Sequence, residues 1–395
     1  MIRSLGKPTS LFFIVNALAC IGLNIGVVGV NWFIIDATRQ NSVLGAYGAV
    51  SVISAFVTLA LSGHFTDKYN KIDILKYCCI GQAVLFFIVG LAHALQMRAG
   101  YIIALLALLN MPLMVIFSIV SRGAVAHVWD KQNLARGNAL LEVTLQLGAM
   151  CAALLTGLLY GRFGFSVLIA LGGVVTLCAG GVLLVCPLKI DFPAAVRESY
   201  WSGLRKGLIY LVRHRAVFLY GLVAFVPTIV ISVSNNVIPG YVEQTLKAGA
   251  GVYGAGDICF ALGALLAGWW ASRKSVPYTK LKAFIYFGLS MGCMLVLMLS
   301  ARVWIFYMGV FLVGVVLAQL RIGLNTLFMD VADKEYLGRS LSLLMALAMG
   351  VQAVMAYVIG KLMDAFGAPT GFAVLVGMLA VGGVLLLWGR KEKDF

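Results

Sequence analysis

Few residues in this chain could carry a proton or grip a polar solute, and most of them sit inside long apolar runs. Asp257 is the deepest carboxylate, about 10 Å from the nearer end of its run at 1.5 Å per helical residue. It stands one turn after Tyr253 in a glycine-rich helix start. A carboxylic acid buried in hydrocarbon is costly and marks a functional position, so Asp257 is the first candidate for taking up and releasing a proton. A structural carboxylate bonded to Tyr253 is the alternative. Glu142, about 6 Å inside its run, is the second proton candidate. Asp36, near an outer end, is the third, with a helix-end role as its alternative. Amides form a second group. Asn16, Cys20, Asn24 and Asn31 fall within an arc of about 80° on one helix, at roughly 100° per residue. Asn110 lies in the fourth run, and Asn235 and Asn236 join Ser232 and Ser234 in the seventh. These amides are candidate substrate contacts, and interhelical hydrogen bonding explains them equally well.

The elements that hold these groups follow from composition. Of 395 residues, 62% are hydrophobic and 11% charged. A soluble domain has about 45–50% apolar and about 25% charged residues, so an ordinary soluble protein, a disordered chain and a coiled coil are excluded. About 20 apolar residues cross the roughly 30 Å of hydrocarbon in a bilayer. The runs predict spans at 11–37, 43–65, 74–96, 101–120, 138–160, 165–187, 216–238, 249–271, 283–301, 303–322, 340–364 and 370–389. The expected fold is all-α and integral to the membrane, with twelve transmembrane helices. Residues 1–187 form one six-helix bundle, 188–215 a cytoplasmic linker and 216–395 a second bundle. Within the linker, Trp201, Leu204, Leu208 and Leu211 share a face beside Arg205, Lys206 and Arg213, which predicts an interfacial helix from Tyr200 to His214.

Charge orients the spans. Of the 30 Lys and Arg, only Arg39, Arg98, Arg162, Lys247, Arg302 and Lys361 fall on the side opposite the N-terminus. The positive-inside rule then puts both termini in the cytoplasm, and a miscount by one span would scramble the asymmetry. The formal charge of +15 is therefore read as topology and not as nucleic-acid binding. The eight Cys lie within or at the ends of apolar runs without a CxxC pair and read as packing residues. His64, His93, His127 and His214 are scattered, so no metal site and no cofactor are expected. No HExxH or P-loop occurs, which argues against an enzyme or direct ATP use.

The halves repeat. At an offset of 203, Asp130-Lys131 matches Asp333-Lys334, Arg136 matches Arg339, and Phe163-Gly164 matches Phe366-Gly367. At an offset of 205, Gly63 matches Gly268 and Asn31 matches Asn236. Parallel repeats of this kind place a substrate site at their interface near mid-membrane.

After the second span comes Gly63-His64-Phe65-Thr66-Asp67-Lys68-Tyr69-Asn70-Lys71. This stretch resembles the GxxxD(R/K)xGR(R/K) loop of the major facilitator superfamily, with Asn70 in place of the second Gly. The resemblance implies a conformational latch made by Gly63, Asp67, Lys68 and Lys71, with Asp67 near Gly338 and Arg339. The second-half counterpart, Gly268 to Lys274, lacks the acid, so the stronger latch is expected in the first half. Thr38–Ser42, Leu134–Leu140, Gly203–Leu208 and Tyr336–Arg339 are similar to the branch that holds enterobactin-type siderophore exporters and drug-efflux proteins. Two features depart from drug–proton antiporters: the fourth span carries no Arg, and the fifth reads Gly148-Ala149-Met150-Cys151 without Pro.

The expected function is proton-coupled export of a small amphiphilic organic compound, a siderophore or drug, by a monomer in a bacterial inner membrane. Uptake of a siderophore, metabolite or metal chelate is the alternative, and a lipid flippase or a non-transporting receptor on the same scaffold stays open. Na⁺ also stays open as the coupling ion.

Overall fold

A computed structural model describes residues 7–128, 134–185, 208–273, 278–332 and 337–388. Eleven long helices run through them. We label them α1 (Lys7–Thr38), α2 (Asn41–Lys68), α3 (Lys71–Ala94), α4 (Ala99–Val128), α5 (Leu134–Val185), α6 (Arg215–Gln244), α7 (Ala250–Arg273), α8 (Lys280–Leu299), α9 (Val303–Val331), α10 (Leu337–Phe366) and α11 (Thr370–Trp388). No strand occurs among the described residues.

All eleven contain windows long and apolar enough to cross a membrane. The 52 residues of α5 would make a rod of about 78 Å. That is more than twice the hydrocarbon thickness of about 30 Å. The helix breaks at Gly164, where φ 76° and ψ 179° lie far from helical values and suit only glycine. α5 therefore makes two crossings, and the total is the twelve expected from the apolar runs. The repeat partner Gly367 ends α10 at φ 92°, so the shared Phe-Gly pair breaks the chain at the same place in each half.

Other ends follow local chemistry. Asn70 caps α3 by accepting from the Ile72 amide at 2.9 Å, and Thr279 caps α8 by accepting from the Lys282 amide at 3.3 Å. Arg39, Gln96 and Lys247 take positive φ just after helix ends, the left-handed turn that stops a helix. Pro112 in α4 and Pro227 and Pro239 in α6 are carried inside helices, as membrane spans allow. The second span, expected at 43–65, continues three residues further. α2 runs to Lys68, leaving only Tyr69 and Asn70 between α2 and α3. In the linker, 208–213 are helical, and the earlier part of the expected interfacial helix lies outside the described residues.

Contacts divide the chain into two compact units. The first comprises Met1–Thr38, Val50–Val196 and Gly249–Gly254, and the second Arg39–Ala49, Arg197–Ala248 and Ala255–Phe395. One short segment of each sequence half is thus built into the other unit, and we call these the guest segments. In the first unit, a core of Phe12, Leu23, Leu75, Phe117 and Val120 surrounds Cys20, Cys78 and Cys79, which pack as small apolar groups. In the second unit, bare glycines set the helix approaches. A Cβ on Gly263 would strike the Phe311 carbonyl, and one on Gly314 the Phe260 carbonyl. Small residues let membrane helices come this close, where dispersion replaces the missing hydrophobic drive.

Candidate functional site

The second unit carries the densest polar cluster, at the start of α2. The first turn of any helix has amide N–H groups without intrahelical partners. Here Asp364, two residues from the end of α10, supplies acceptors. The Asn41 backbone N–H donates to Asp364 Oδ1 at 2.7 Å, and the Ser42 N–H donates to Asp364 Oδ2 at 2.9 Å. Asn41 Nδ2 also donates to Asp364 Oδ1 at 3.1 Å and to Gln244 Oε1 of α6 at 2.9 Å. A carboxylate at a helix N-terminus further gains from the aligned peptide dipoles. Arg39 lies 3.6 Å from Glu243 at the rim.

Below this cluster the packing repeats every helical turn. On α10, Ala356, Gly360 and Asp364 are four residues apart, and on α6 Asn236, Gly240 and Gln244 are likewise. A Cβ on Gly360 would hit the Asn41 carbonyl, one on Gly45 the Ala356 carbonyl, and one on Gly48 would stand 2.7 Å from Asn236 Oδ1. Bare backbone is therefore required on both sides of this joint.

The first unit has a counterpart around Gly249–Gly254. A Cβ on Gly254 would hit the Ala153 carbonyl of α5, and Gly157 faces Gly251. Gly157 and Gly360 are 203 residues apart, the offset of the repeat. Polar contacts are sparser. Tyr253 stacks on Trp32 with ring centroids 5.6 Å apart, and both are buried. Tyr160 donates to Asp36 Oδ2 at 2.8 Å.

The remaining candidates separate. Asn110 is fully buried and committed within the first unit: its Nδ2 donates to the Gly26 carbonyl at 2.7 Å and its Oδ1 accepts from Gln82 Nε2 at 2.7 Å. Asn16 and Asn24 donate to backbone carbonyls one turn back, those of Phe12 and Cys20. Asn31 is buried, Asn235 exposed and Asn236 half-buried. Asp257 is half-buried in α7, next to Gly256, which packs against the Phe306 ring. Glu142 is exposed and ion-paired with Arg122 at 2.6 Å. Lys71 lies against Gly123 of α4. Gly63, Asp67 and Lys68 fall on the last turns of α2 and Arg339 on the first turn of α10; their side chains lie outside the described residues. Among the described residues no cluster of His, Cys, Asp or Glu could hold a metal ion.

Asp364 stands near a helix end, where water is within reach, so nothing local in the sequence marks its role. Its partners are more than 300 residues away. The four-residue spacing of Ala356, Gly360 and Asp364 was the available signal.

A model of the Major Facilitator Superfamily matches residues 12–350. With the twelve crossings, this shows that the chain belongs to that superfamily. No curated protein matches in sequence. Solved structures share the fold. The nucleoside transporter NupG is 12% identical with a TM-score of 0.77, over 98% of this chain and 100% of that one. A bacterial metal transporter is 15% identical with a TM-score of 0.68, over 98% and 100%. A bacterial homolog of the human lysosomal transporter Spinster, inward-facing and occupied, is 10% identical with a TM-score of 0.66, over 97% and 96%. The protein thus has the multi-pass membrane fold of a superfamily of transporters.

Proposed function

We propose that the chain is a secondary transporter that alternates access to a central site between two bundles, 1–187 and 216–395. In this reading both termini are cytoplasmic in a bacterial inner membrane. The protein acts as a monomer and exports a small amphiphilic compound, a siderophore or drug, in exchange for protons. The observation that carries alternation is the pair of guest segments. Each is held by contacts that can break without unfolding a core, above all the Asp364 bonds to the start of α2. A transporter that rocks must release and remake such joints.

Asp257 is the proposed proton carrier, because Glu142 already holds Arg122 and Asp36 already accepts from Tyr160. The amides Asn24, Asn31, Asn235 and Asn236 are the proposed substrate contacts. Gly63, Asp67, Lys68, Lys71 and Arg339 are the proposed latch on the cytoplasmic side. A second reading, uptake of a polar metabolite, is favoured by the amide-rich first helix and by the likeness in fold to a nucleoside transporter.

Flux into proteoliposomes under an imposed pH gradient, with an internal pH dye, separates the readings. Siderophore or dye movement against proton movement supports export. Nucleoside or amino-acid movement in phase with protons supports uptake. Asp257→Asn abolishes the proton-driven component in either case, and undiminished proton-driven flux in that variant rejects the role given to Asp257.

A further inference from the structure

An ion pair stands exposed on the first unit inside two membrane-crossing windows. Arg122 is three residues from the end of the α4 window, and Glu142 two residues into the α5 window. Arg122 Nη1 donates to Glu142 Oε1 at 2.6 Å, yet the side chains stay 52% and 59% exposed. A charged group inside a membrane span is costly against acyl chains and is found facing protein or water. The direction in which the pair faces therefore decides its meaning.

The faces of α5 fix that direction. At roughly 100° per residue, Glu142, Gln146, Ala153 and Gly157 lie within an arc of about 60°. Val143, Leu147, Leu154 and Leu158 form an exposed aliphatic stripe centred about 100° further round, and that stripe meets lipid. The Glu142 face meets protein at its far end, where a Cβ on Gly254 would strike the Ala153 carbonyl and Gly157 faces Gly251. At its near end Glu142 is open, so the pair turns away from the acyl chains and meets water. On α4, Met111, Val115, Ser118 and Arg122 share a face opposite the core residues Phe117 and Ala124. Met111, Val115 and Ser118 are half-buried.

A guanidinium carries five N–H donors in a planar fork, and Glu142 takes one of them. An exposed pair of this kind contributes little and is readily exchanged. Glu142 also shows which chemistry the fork accepts, since it is a carboxylate on a tether. We infer that Arg122 is a binding site for an amphiphilic carboxylate, for which Glu142 is the built-in stand-in. The incoming carboxylate takes the fork with two parallel N–H···O bonds, and Glu142 turns to water. Ser118 and Gln146 offer hydrogen bonds beside it, and the apolar body lies along Met111 and Val115. A cation or a neutral compound has no group to displace Glu142, so the site selects organic anions. The inference names the substrate class within the transport reading, and rests on that reading only for the fate of the bound anion.

Calorimetric titration of the full chain in lipid nanodiscs with naphthoate, and with the neutral naphthamide of the same shape, tests it. The wild type is expected to prefer naphthoate about ten-fold, the size of one charge-assisted contact. Arg122→Gln is expected to bring the two compounds to parity in a chain that still elutes as a single species. Glu142→Gln separates the inference from a merely structural ion pair. Removing the competing carboxylate is expected to tighten naphthoate about five-fold and leave naphthamide unchanged. A structural pair predicts no gain. Equal binding of the two compounds by the wild type, or naphthoate binding by Glu142→Gln no tighter than by the wild type, overturns the inference. Because binding is read without flux, loss of this site and loss of the transport reading are separate outcomes.

Discussion

In the second unit the guest segment Arg39–Ala49 is held by hydrogen bonds and charge, whereas in the first unit Gly249–Gly254 is held by a ring stack and glycine-to-carbonyl contacts. The two joints share a frame, since Gly157 and Gly360 occupy equivalent places in the repeat. They differ at the helix start. Asp364 reaches the amides of Asn41 and Ser42, and the residue 203 positions earlier is Gly161, which has no side chain to do the same. One frame therefore supports a joint that is directional and polar and another that relies on shape. A polar joint exchanges its bonds with water when it opens, and so loses little. A stacked joint gives up dispersion and ring contacts and has no replacement in water. In the transport cycle proposed above, the polar joint is the one built to open.

The comparison can be broken most forcefully at Trp32. Trp32→Ala is expected to destabilise the protein by about 3 kcal/mol, the lower end for removing a buried aromatic ring. Thermal unfolding in detergent reads this effect, and a loss below that of Asp364→Ala would reverse the ranking of the joints. Gly360→Leu and Gly254→Leu come next, at about 1–3 kcal/mol each for overpacking against backbone that cannot yield. Equal losses are expected because both clash with carbonyls, so a harmless change at either position would show that the helices do not approach there.

Asp364→Ala is expected to cost about 1 kcal/mol, the usual value of a helix N-cap. Asp364→Asn should recover part of it, because the amide oxygen still accepts. If the two variants unfold alike, the carboxylate is not the cap. Arg39→Gln should have the smallest effect, below about 0.5 kcal/mol, because the Arg39 side chain is 77% exposed. A larger effect in the same unfolding assay would mean that the rim ion pair, and not Asp364, holds the joint.

How far these features could be read beforehand depends on the range of the interaction. The helices were legible because hydropathy is local, and twelve crossings emerged from run lengths and from the distribution of Lys and Arg. Gly164 and Gly367 were legible as a repeat, though the pattern did not reveal that both adopt positive φ. The second helix was expected to end at 65 and runs on to Lys68. Gly63 and Thr66 are poor helix formers, yet α2 carries its backbone bonds through them to Lys68, and Asn70 then caps the start of α3. The polar stripe of α1 was legible as a stripe, while its bonding was not: Asn16 and Asn24 turn back on their own helix. Asn110 was singled out as a candidate substrate contact; it is buried, and its partners, Gln82 and Gly26, lie on two other helices. Asp364 was passed over for the same reason, since a carboxylate near a helix end has no local mark of a partner in another half of the chain. The 44 glycines are likewise silent until the opposing carbonyl is known.

The most direct test of the account closes the polar joint covalently. Ser42→Cys and Asp364→Cys, placed in a chain whose eight native cysteines are replaced, put two thiols where the Ser42 amide now meets the carboxylate. Substrate flux is then measured in proteoliposomes before and after oxidation, and again after reduction. The account predicts flux in the reduced protein, none in the oxidised protein and recovery on reduction. Undiminished flux with the cross-link formed would show that the joint stays closed throughout the cycle, and would contradict the claim that it opens.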